Sequence, residues 1–247
     1  MQQTTSAARK AALVFGGSRG IGAATVARLA KDGYVVAFTY MSSADKAQAL
    51  VDRVSADGGE AFAIRADSAD PTEIRDAVAK AVAQVGTLSV VVVNAGLLRV
   101  GAIDAVKLEE LDQMLDVNVR GVFLSIQATV PHLADGARVI TIGSNVAIHT
   151  RGFAGSSVYQ MTKTAVAGMV KGIALDLAPR GITVNNVQPG PTDTDMNAGA
   201  IDALKGISPM KRVGQPSEIA GLVSYLAGDD ARYVTGTSVT IDGGWTL

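Results

Sequence analysis

Ala11-Ala12-Leu13-Val14-Phe15-Gly16-Gly17-Ser18-Arg19-Gly20-Ile21-Gly22 is the stretch on which the reading of this 247-residue chain turns. Residues 11–15 are an apolar run of strand length, and residues 23–30 continue as a helical pattern. Gly33 stops that helix, and residues 34–39 make the next strand. Three glycines, Gly16-x-x-x-Gly20-x-Gly22, stand where the chain turns from strand to helix. A tight turn alone would account for them. Strand, loop, helix and strand in this order point further. A pyrophosphate must reach backbone N–H groups at the helix N-terminus, and side chains would block it. This dinucleotide reading assigns Gly16, Ser18, Arg19, Gly20, Ile21 and Gly22 to the phosphates.

Outward from that unit, short β-branched runs alternate with longer alanine-rich amphipathic stretches. The pattern predicts an α/β fold: a single Rossmann-like doubly wound domain over residues 1–247, its mostly parallel, seven-stranded sheet covered by helices on both faces. Strands are expected at residues 61–65, 88–93, 137–142, 182–187 and 237–241, and helices at 44–56, 72–84, 159–177 and 216–227. Residues 108–133 read as one long helix interrupted at Asn118-Val119-Arg120-Gly121. Residues 1–9 are expected to be flexible. Residues 191–214 show no clear period and read as a mobile substrate lid with one or two short helices.

Composition removes several function classes. A net charge of −1 argues against nucleic-acid binding through bulk charge. With no cysteine there is no disulfide, thiolate nucleophile or zinc–thiolate site. The two histidines, His132 and His149, form no metal-ligand cluster, so no metal is expected. No secretion-signal pattern opens the chain, and its apolar runs are too short to cross a membrane. A cytoplasmic location is the expectation.

The second strand ends in Tyr40-Met41-Ser42-Ser43, with no acid to accept the ribose hydroxyls of NAD. Arg19 could pair with a 2′-phosphate, and Ser42 and Ser43 could donate to it, with Tyr40 beside them. The cofactor expected is therefore NADP(H) rather than NAD(H). Asn94-Ala95-Gly96 closes a nearly unbroken apolar strand, and its small residues would let the backbone lie against the cofactor.

Tyr159 and Lys163 stand four apart, on one face of a helix. An ammonium beside a phenol lowers its pKa from about 10, which makes the pair an acid/base device for an alcohol or ketone oxygen. Ser144 follows its strand directly, at the end of the sheet where open parallel sheets place ligands. Asn118 is an amide on an apolar face and needs partners.

Taken in order, the glycine pattern, Asn94-Ala95-Gly96, Asn118, Ser144, Tyr159 and Lys163 resemble the short-chain dehydrogenase/reductase family, in the branch of the 3-oxoacyl-(acyl-carrier-protein) reductases. The resemblance covers residues 10–247. It implies NADPH-dependent reduction of a ketone or aldehyde, reversible, with a small-molecule carbonyl or alcohol substrate and a homotetrameric assembly. It gives Ser144 the substrate oxygen, Tyr159 the proton, Lys163 the ribose and the Tyr159 pKa, and Asn118 a relay water. It gives Asp67, with Ser68, the adenine, although an N-cap or turn before Pro71 explains Asp67 as well. Pro189, Gly190, Thr192 and Thr194 are implied to meet the nicotinamide, with helix capping the alternative for Thr194. Two departures stand out. A threonine that steadies the glycine loop in many members is missing at Gly16-Gly17, and the step of fifteen from Ser144 to Tyr159 is longer than usual. That loop carries His149, Arg151 and Phe153, with Ser156 and Ser157 as fallbacks for Ser144. The alternative from another class is a cofactor-binding sensor without turnover.

Overall fold

The computed structural model describes residues 10–247, so the expectation for residues 1–9 lies outside the described residues. Seven strands form one sheet in the order β3-β2-β1-β4-β5-β6-β7. They are β1 (Ala11–Phe15), β2 (Val35–Tyr40), β3 (Glu60–Arg65), β4 (Leu88–Val93), β5 (Leu133–Ile142), β6 (Thr183–Pro189) and β7 (Ser238–Ile241). Every pairing is parallel, so "mostly parallel" understates the sheet. A central strand buried on both faces has no solvent side to keep polar, which is why 88–93 reads as an almost unbroken apolar run.

Alternation along each strand feeds two cores. Leu13, Phe15, Val91 and Val139 point to one face. There they meet α3 (Pro71–Val85), α5 (Gly121–Thr129) and α6 (Ser157–Leu177), through Ile74, Ile126 and Val170. Ala12, Val14, Val36 and Ile140 point to the other face. They meet α1 (Gly20–Lys31), α2 (Ala44–Ala56) and α8 (Pro216–Ala227), through Leu29, Leu50 and Val223. α4 (Leu108–Leu115) lies before α5, and α7 (Ile201–Ile207) lies inside the segment read as a lid.

The segment read as one broken helix over 108–133 is α4, a π-helical turn at Asp116–Arg120, then α5, and it leaves the helix at Thr129. Pro131 lies in the short 3-10 turn Val130–His132 that follows, where its missing N–H costs little. Strand β5 starts at Leu133, four residues earlier than expected. Its first residues include Asp135 and Gly136, which do not read as strand in isolation. The lid has one short helix, and its two ends are pinned together. Thr192 bridges Gly214, Asp193 N–H donates to Gly214 at 2.9 Å, and Gly214 N–H returns to Pro191 at 2.9 Å.

Candidate functional site

The strand order reverses at β1, whose neighbours are β2 and β4, and the carboxyl ends of β1 and β4 therefore open a crevice. The glycine loop lines it. Gly16 has a left-handed φ of +74°, and a Cβ there would lie 2.8 Å from the Ala95 backbone. A Cβ on Gly22 would lie 2.1 Å from the Gly16 carbonyl oxygen. The first turn of α1 thus packs directly on the loop, as a phosphate cradle requires. Arg19, at the N-cap, offers no side-chain cap to the first-turn N–H groups, and no acid occupies that turn. These N–H groups and the positive end of the helix suit a pyrophosphate. Ser18 is half-buried in the same loop.

The missing threonine has a substitute. The Thr39 hydroxyl, on β2, accepts from Gly16 N–H at 3.0 Å, and its carbonyl accepts from Gly17 N–H at 2.8 Å. Thr39 is fully buried and twenty-three positions from Gly16, a pairing that strand register creates and local spacing does not announce. Asn94 Nδ2 donates to the Gly16 carbonyl at 2.7 Å and ties β4 to the loop, while Gly96 beyond it is exposed.

At the end of β2, Tyr40 is half-buried, Ser42 is exposed, and Ser43 sits at the α2 N-cap without a side-chain capping bond. Asp67 is a turn residue: its Oδ1 accepts from Ala69 N–H at 2.8 Å. The N-cap of α3 is Asp70, which accepts from Thr72 and Glu73 N–H. The Ser68 carbonyl would lie 2.1 Å from a Cβ on Gly121, so that glycine lets α5 press against this turn. Arg19 lies 3.6 Å from Asp195 of the lid, and Lys46, a residue sequence reasoning passed over, lies 2.9 Å from the same carboxylate.

Ser144, Tyr159 and Lys163 come together beyond the end of β5. Ser144 follows the strand, and its hydroxyl accepts from Val146 N–H at 3.3 Å. Of the fallbacks, Ser156 spends its hydroxyl on the Phe153 carbonyl at 2.5 Å, and Ser157 is exposed on the first turn of α6. Tyr159 is buried in a third apolar cluster with Met114 and Val158, flanked by Leu97, Leu111 and Val146. Lys163 Nζ lies 5.6 Å from the Tyr159 ring centroid and donates to the Ile142 carbonyl at 3.1 Å.

Burial dominates the electrostatics here. It pushes the Tyr159 phenol up to about 12, against a hydrogen bond with Ser144 that acts to lower it. It pulls the Lys163 ammonium down to about 8. The depression expected from Lys163 is not what sets the Tyr159 pKa: burial raises it, only Ser144 acts against that rise, and the same apolar shell disfavours both charged forms.

Asn118, fully buried in the π-turn, accepts from Leu97 N–H at 2.8 Å and donates to the Leu97 carbonyl at 2.8 Å. It also donates to the Thr162 hydroxyl at 3.2 Å. The amide needs partners and finds them in the backbone of the β4–α4 loop and on α6, so it clamps that loop to the helix carrying Tyr159 and Lys163.

Pro189 ends β6, and a Cβ on Gly190 would lie 2.5 Å from Asp242 Cβ. Asp242 gathers the strand ends. It accepts from Asn145 Nδ2 at 3.3 Å and from the Gly244 and Thr246 N–H groups at 3.0 Å. Thr192 is buried, with its hydroxyl donating to the Gly190 carbonyl at 2.9 Å. Thr194 caps no helix. Its hydroxyl donates to Thr192 at 3.4 Å, and α7 begins later, after Ala200. Its methyl lies 3.2 Å from where a Cβ on Gly20 would stand, so the lid crosses the glycine loop. His149 is a loop residue whose Nδ1 accepts from Arg151 N–H at 2.8 Å. Arg151 stacks on Trp245 at 5.7 Å and donates to the carbonyls of Leu247 at 3.1 Å and Ile207 at 3.4 Å. A cavity of about 150 Å³ under the lid base, lined by Met210, Arg212, Glu218 and Asp242, lies apart from Tyr159, and Arg212 and Glu218 pair with each other at its wall. Among the described residues no cluster of three or more histidine, aspartate or glutamate side chains could hold a metal.

A doubly wound parallel sheet with a glycine cradle at its switch point and a buried Ser–Tyr–Lys group beside it defines a nucleotide-binding oxidoreductase class. The family model described as enoyl-(acyl carrier protein) reductase matches residues 16–246, and the chain belongs to the short-chain dehydrogenase/reductase family. It is 39% identical over 239 residues to a 3-oxoacyl-(acyl-carrier-protein) reductase of Staphylococcus aureus Mu50, covering 95% of this chain and 97% of that one. It is 41% identical over 237 residues to the cyclic-di-GMP-binding biofilm dispersal mediator protein of Escherichia coli K12, covering 95% and 96%. Among solved structures, a short-chain dehydrogenase/reductase from Serratia marcescens superposes with a TM-score of 0.93 at 50% identity, covering 96% and 98%. A short-chain dehydrogenase from Burkholderia cenocepacia in complex with NADP does so with 0.93 at 46%, covering 96% and 98%.

Proposed function

We propose that this chain is an NADP(H)-dependent reductase that converts a ketone or aldehyde to an alcohol, reversibly. Ser144, Tyr159, Lys163 and Asn118 serve the reaction, and residues 1–247 work as one domain whose lid is 191–214. The observation that carries the reading is the burial of Tyr159 beside Ser144 and Lys163 at the carboxyl end of the sheet, next to the glycine cradle. NADPH, when bound, supplies the hydride. Tyr159 holds its proton at neutral pH and gives it to the substrate oxygen, while Ser144 donates a hydrogen bond to that oxygen. Lys163 would donate to the ribose hydroxyls, and Asn118 fixes the loop and helix that frame it. Gly16, Ser18, Gly20, Ile21 and Gly22 would hold the pyrophosphate. Arg19, Tyr40, Ser42 and Ser43 would take the 2′-phosphate, Asp67 and Ser68 the adenine, and Asn94, Ala95, Gly96, Pro189, Gly190, Thr192 and Thr194 the nicotinamide half.

The relatives named as 3-oxoacyl-(acyl-carrier-protein) reductases make a 3-oxoacyl compound the first substrate to try. A homotetramer in the cytoplasm completes the reading. It is supported by Gly168 and Gly172 on α6, whose added Cβ atoms would meet open space, and by Leu175, 77% exposed on the same helix. These small residues are not used for packing inside the protomer. No described helix is long and apolar enough to cross a membrane.

The test is NADPH oxidation with a panel of ketones and aldehydes, including a 3-oxoacyl and an enoyl thioester, repeated with NADH and with Tyr159→Phe. Turnover with NADPH that falls at least ~10²-fold in the variant supports the reading. Equal rates with NADH overturn the cofactor preference. The second reading, a nucleotide sensor without turnover, is favoured by the relative named for cyclic-di-GMP binding. Tight NADPH binding with no turnover across the panel would replace the first reading with it.

A further inference from the structure

Two cations of the adenosine side close on a single carboxylate of the lid. Lys46 Nζ, in the first turn of α2, donates to Asp195 Oδ2 at 2.9 Å. Arg19, in the glycine loop, lies 3.6 Å from the same oxygen. Asp195 follows Thr194, the residue whose methyl abuts Gly20, so the clasp ties the lid across the mouth of the cradle. The three side chains come from positions 19, 46 and 195, and all remain more than half exposed. The attraction holds the Asp195 carboxyl below its ordinary range, chiefly through the bond from Lys46. An exposed ion pair of this kind is weak and exchanges readily.

Two cations that converge on one oxygen, Arg19 from the glycine loop and Lys46 from the helix after β2, suit an anion; no acid stands in Tyr40-Met41-Ser42-Ser43, and Asp45 is the one acid in the first turn of α2. A phosphate carries up to twice the charge of a carboxylate and presents three acceptor oxygens instead of two.

We propose that Asp195 is an exchange ligand: its carboxylate occupies the Arg19–Lys46 seat until a nucleotide 2′-phosphate displaces it, and that displacement unlatches the lid. The proposal rests on the NADP(H) reading and adds Lys46 and Asp195 to it as specificity-determining residues. It makes 2′-phosphate recognition and lid mobility one event. A nucleotide without that phosphate leaves the clasp in place.

The test measures binding rather than turnover. Isothermal titration with 2′,5′-ADP and with 5′-AMP is carried out on the full chain, the Asp195→Asn variant and the Lys46→Met variant. NADPH fluorescence serves as a check on the intact cofactor. Hydrogen exchange over residues 193–213 reads the lid. Asp195→Asn is expected to tighten 2′,5′-ADP binding by roughly twofold to fivefold, the release of an exposed carboxylate from Lys46 and Arg19, and to leave 5′-AMP unchanged. Lys46→Met is expected to weaken 2′,5′-ADP by about tenfold and spare 5′-AMP. Lid exchange should rise in Asp195→Asn and in wild type on adding 2′,5′-ADP, and stay level with 5′-AMP. Unchanged or weaker 2′,5′-ADP binding in Asp195→Asn, or lid exchange that falls with 2′,5′-ADP, overturns the exchange while leaving the cofactor reading standing. Wild type that binds neither NADPH nor 2′,5′-ADP overturns both.

Discussion

Replacing Lys163 by methionine should stabilise the protein at neutral pH and destabilise it in alkali. Burial lowers this ammonium from 10.5 to about 8, a shift that costs the native state about 3 kcal/mol wherever the group is charged in both states. Methionine removes that cost. It also removes the bond from Nζ to the Ile142 carbonyl, worth about 1 kcal/mol net. The variant should therefore exceed wild type by about 2 kcal/mol at pH 7. Between the folded value near 8 and the unfolded value near 10.5, the unfolded chain holds the proton and the native protein does not. Wild-type stability then climbs by about 1.4 kcal/mol per pH unit, and the variant's does not. Above 10.5 only the lost hydrogen bond remains, so the order reverses, with wild type ahead by about 1 kcal/mol. Tyr159 loses stabilising power between about 10 and 12, but does so in both proteins and cancels. Urea unfolding from pH 6.5 to 11 at fixed protomer concentration reads the whole curve. A variant less stable than wild type at pH 7, or a difference that does not vary with pH, would refute the argument from burial.

Other perturbations probe different parts of the site. Gly22→Ala places a methyl against the Gly16 carbonyl and should weaken NADPH binding at least ~10-fold, about 1.4 kcal/mol, while circular dichroism stays native. Asn118→Ala strips partners from both the N–H and the carbonyl of Leu97 and should cost about 2–4 kcal/mol in urea unfolding. Arg151→Ala frees the Ser144–Tyr159 loop from Trp245 and from the end of α7, and should raise KM roughly threefold to tenfold with kcat held, from the loss of about 1 kcal/mol. Initial rates across substrate concentration separate the two constants. The alcohol-oxidising rate should rise with pH through the alkaline range, since that direction needs the Tyr159 phenolate, while the reducing rate stays level near neutrality.

What could be read in advance was whatever local order dictates. The glycine loop, the buried strand 88–93 and the Tyr159–Lys163 spacing are short-range patterns, and the fold brings each into the site by the route the sheet requires. The misses are contacts made by register and by long closure. Thr39 steadies the glycine loop only because β1 and β2 pair as they do. Lys46 meets Asp195 from 149 positions away. The early start of β5 was hidden because Asp135 and Gly136 are poor strand formers, and pairing with β4 at Leu133 extends the strand past them. The pKa of Tyr159 does not follow from spacing, which shows a neighbour's charge and not the apolar shell contributed by Leu97, Met114 and Val146.

The bridge between Thr192 and Gly214 also sets how the chain tolerates insertions. Because the segment returns to its own starting point at Thr192 and Gly214, its length is uncoupled from the sheet. Lengthening it to twice its size would cost only about 0.6 kcal/mol of closure entropy. Residues added beyond Asp195, within that closed segment, leave β6 and α8 where they are. Changes of length there are absorbed above the Thr192–Gly214 bridge and do not reach the sheet.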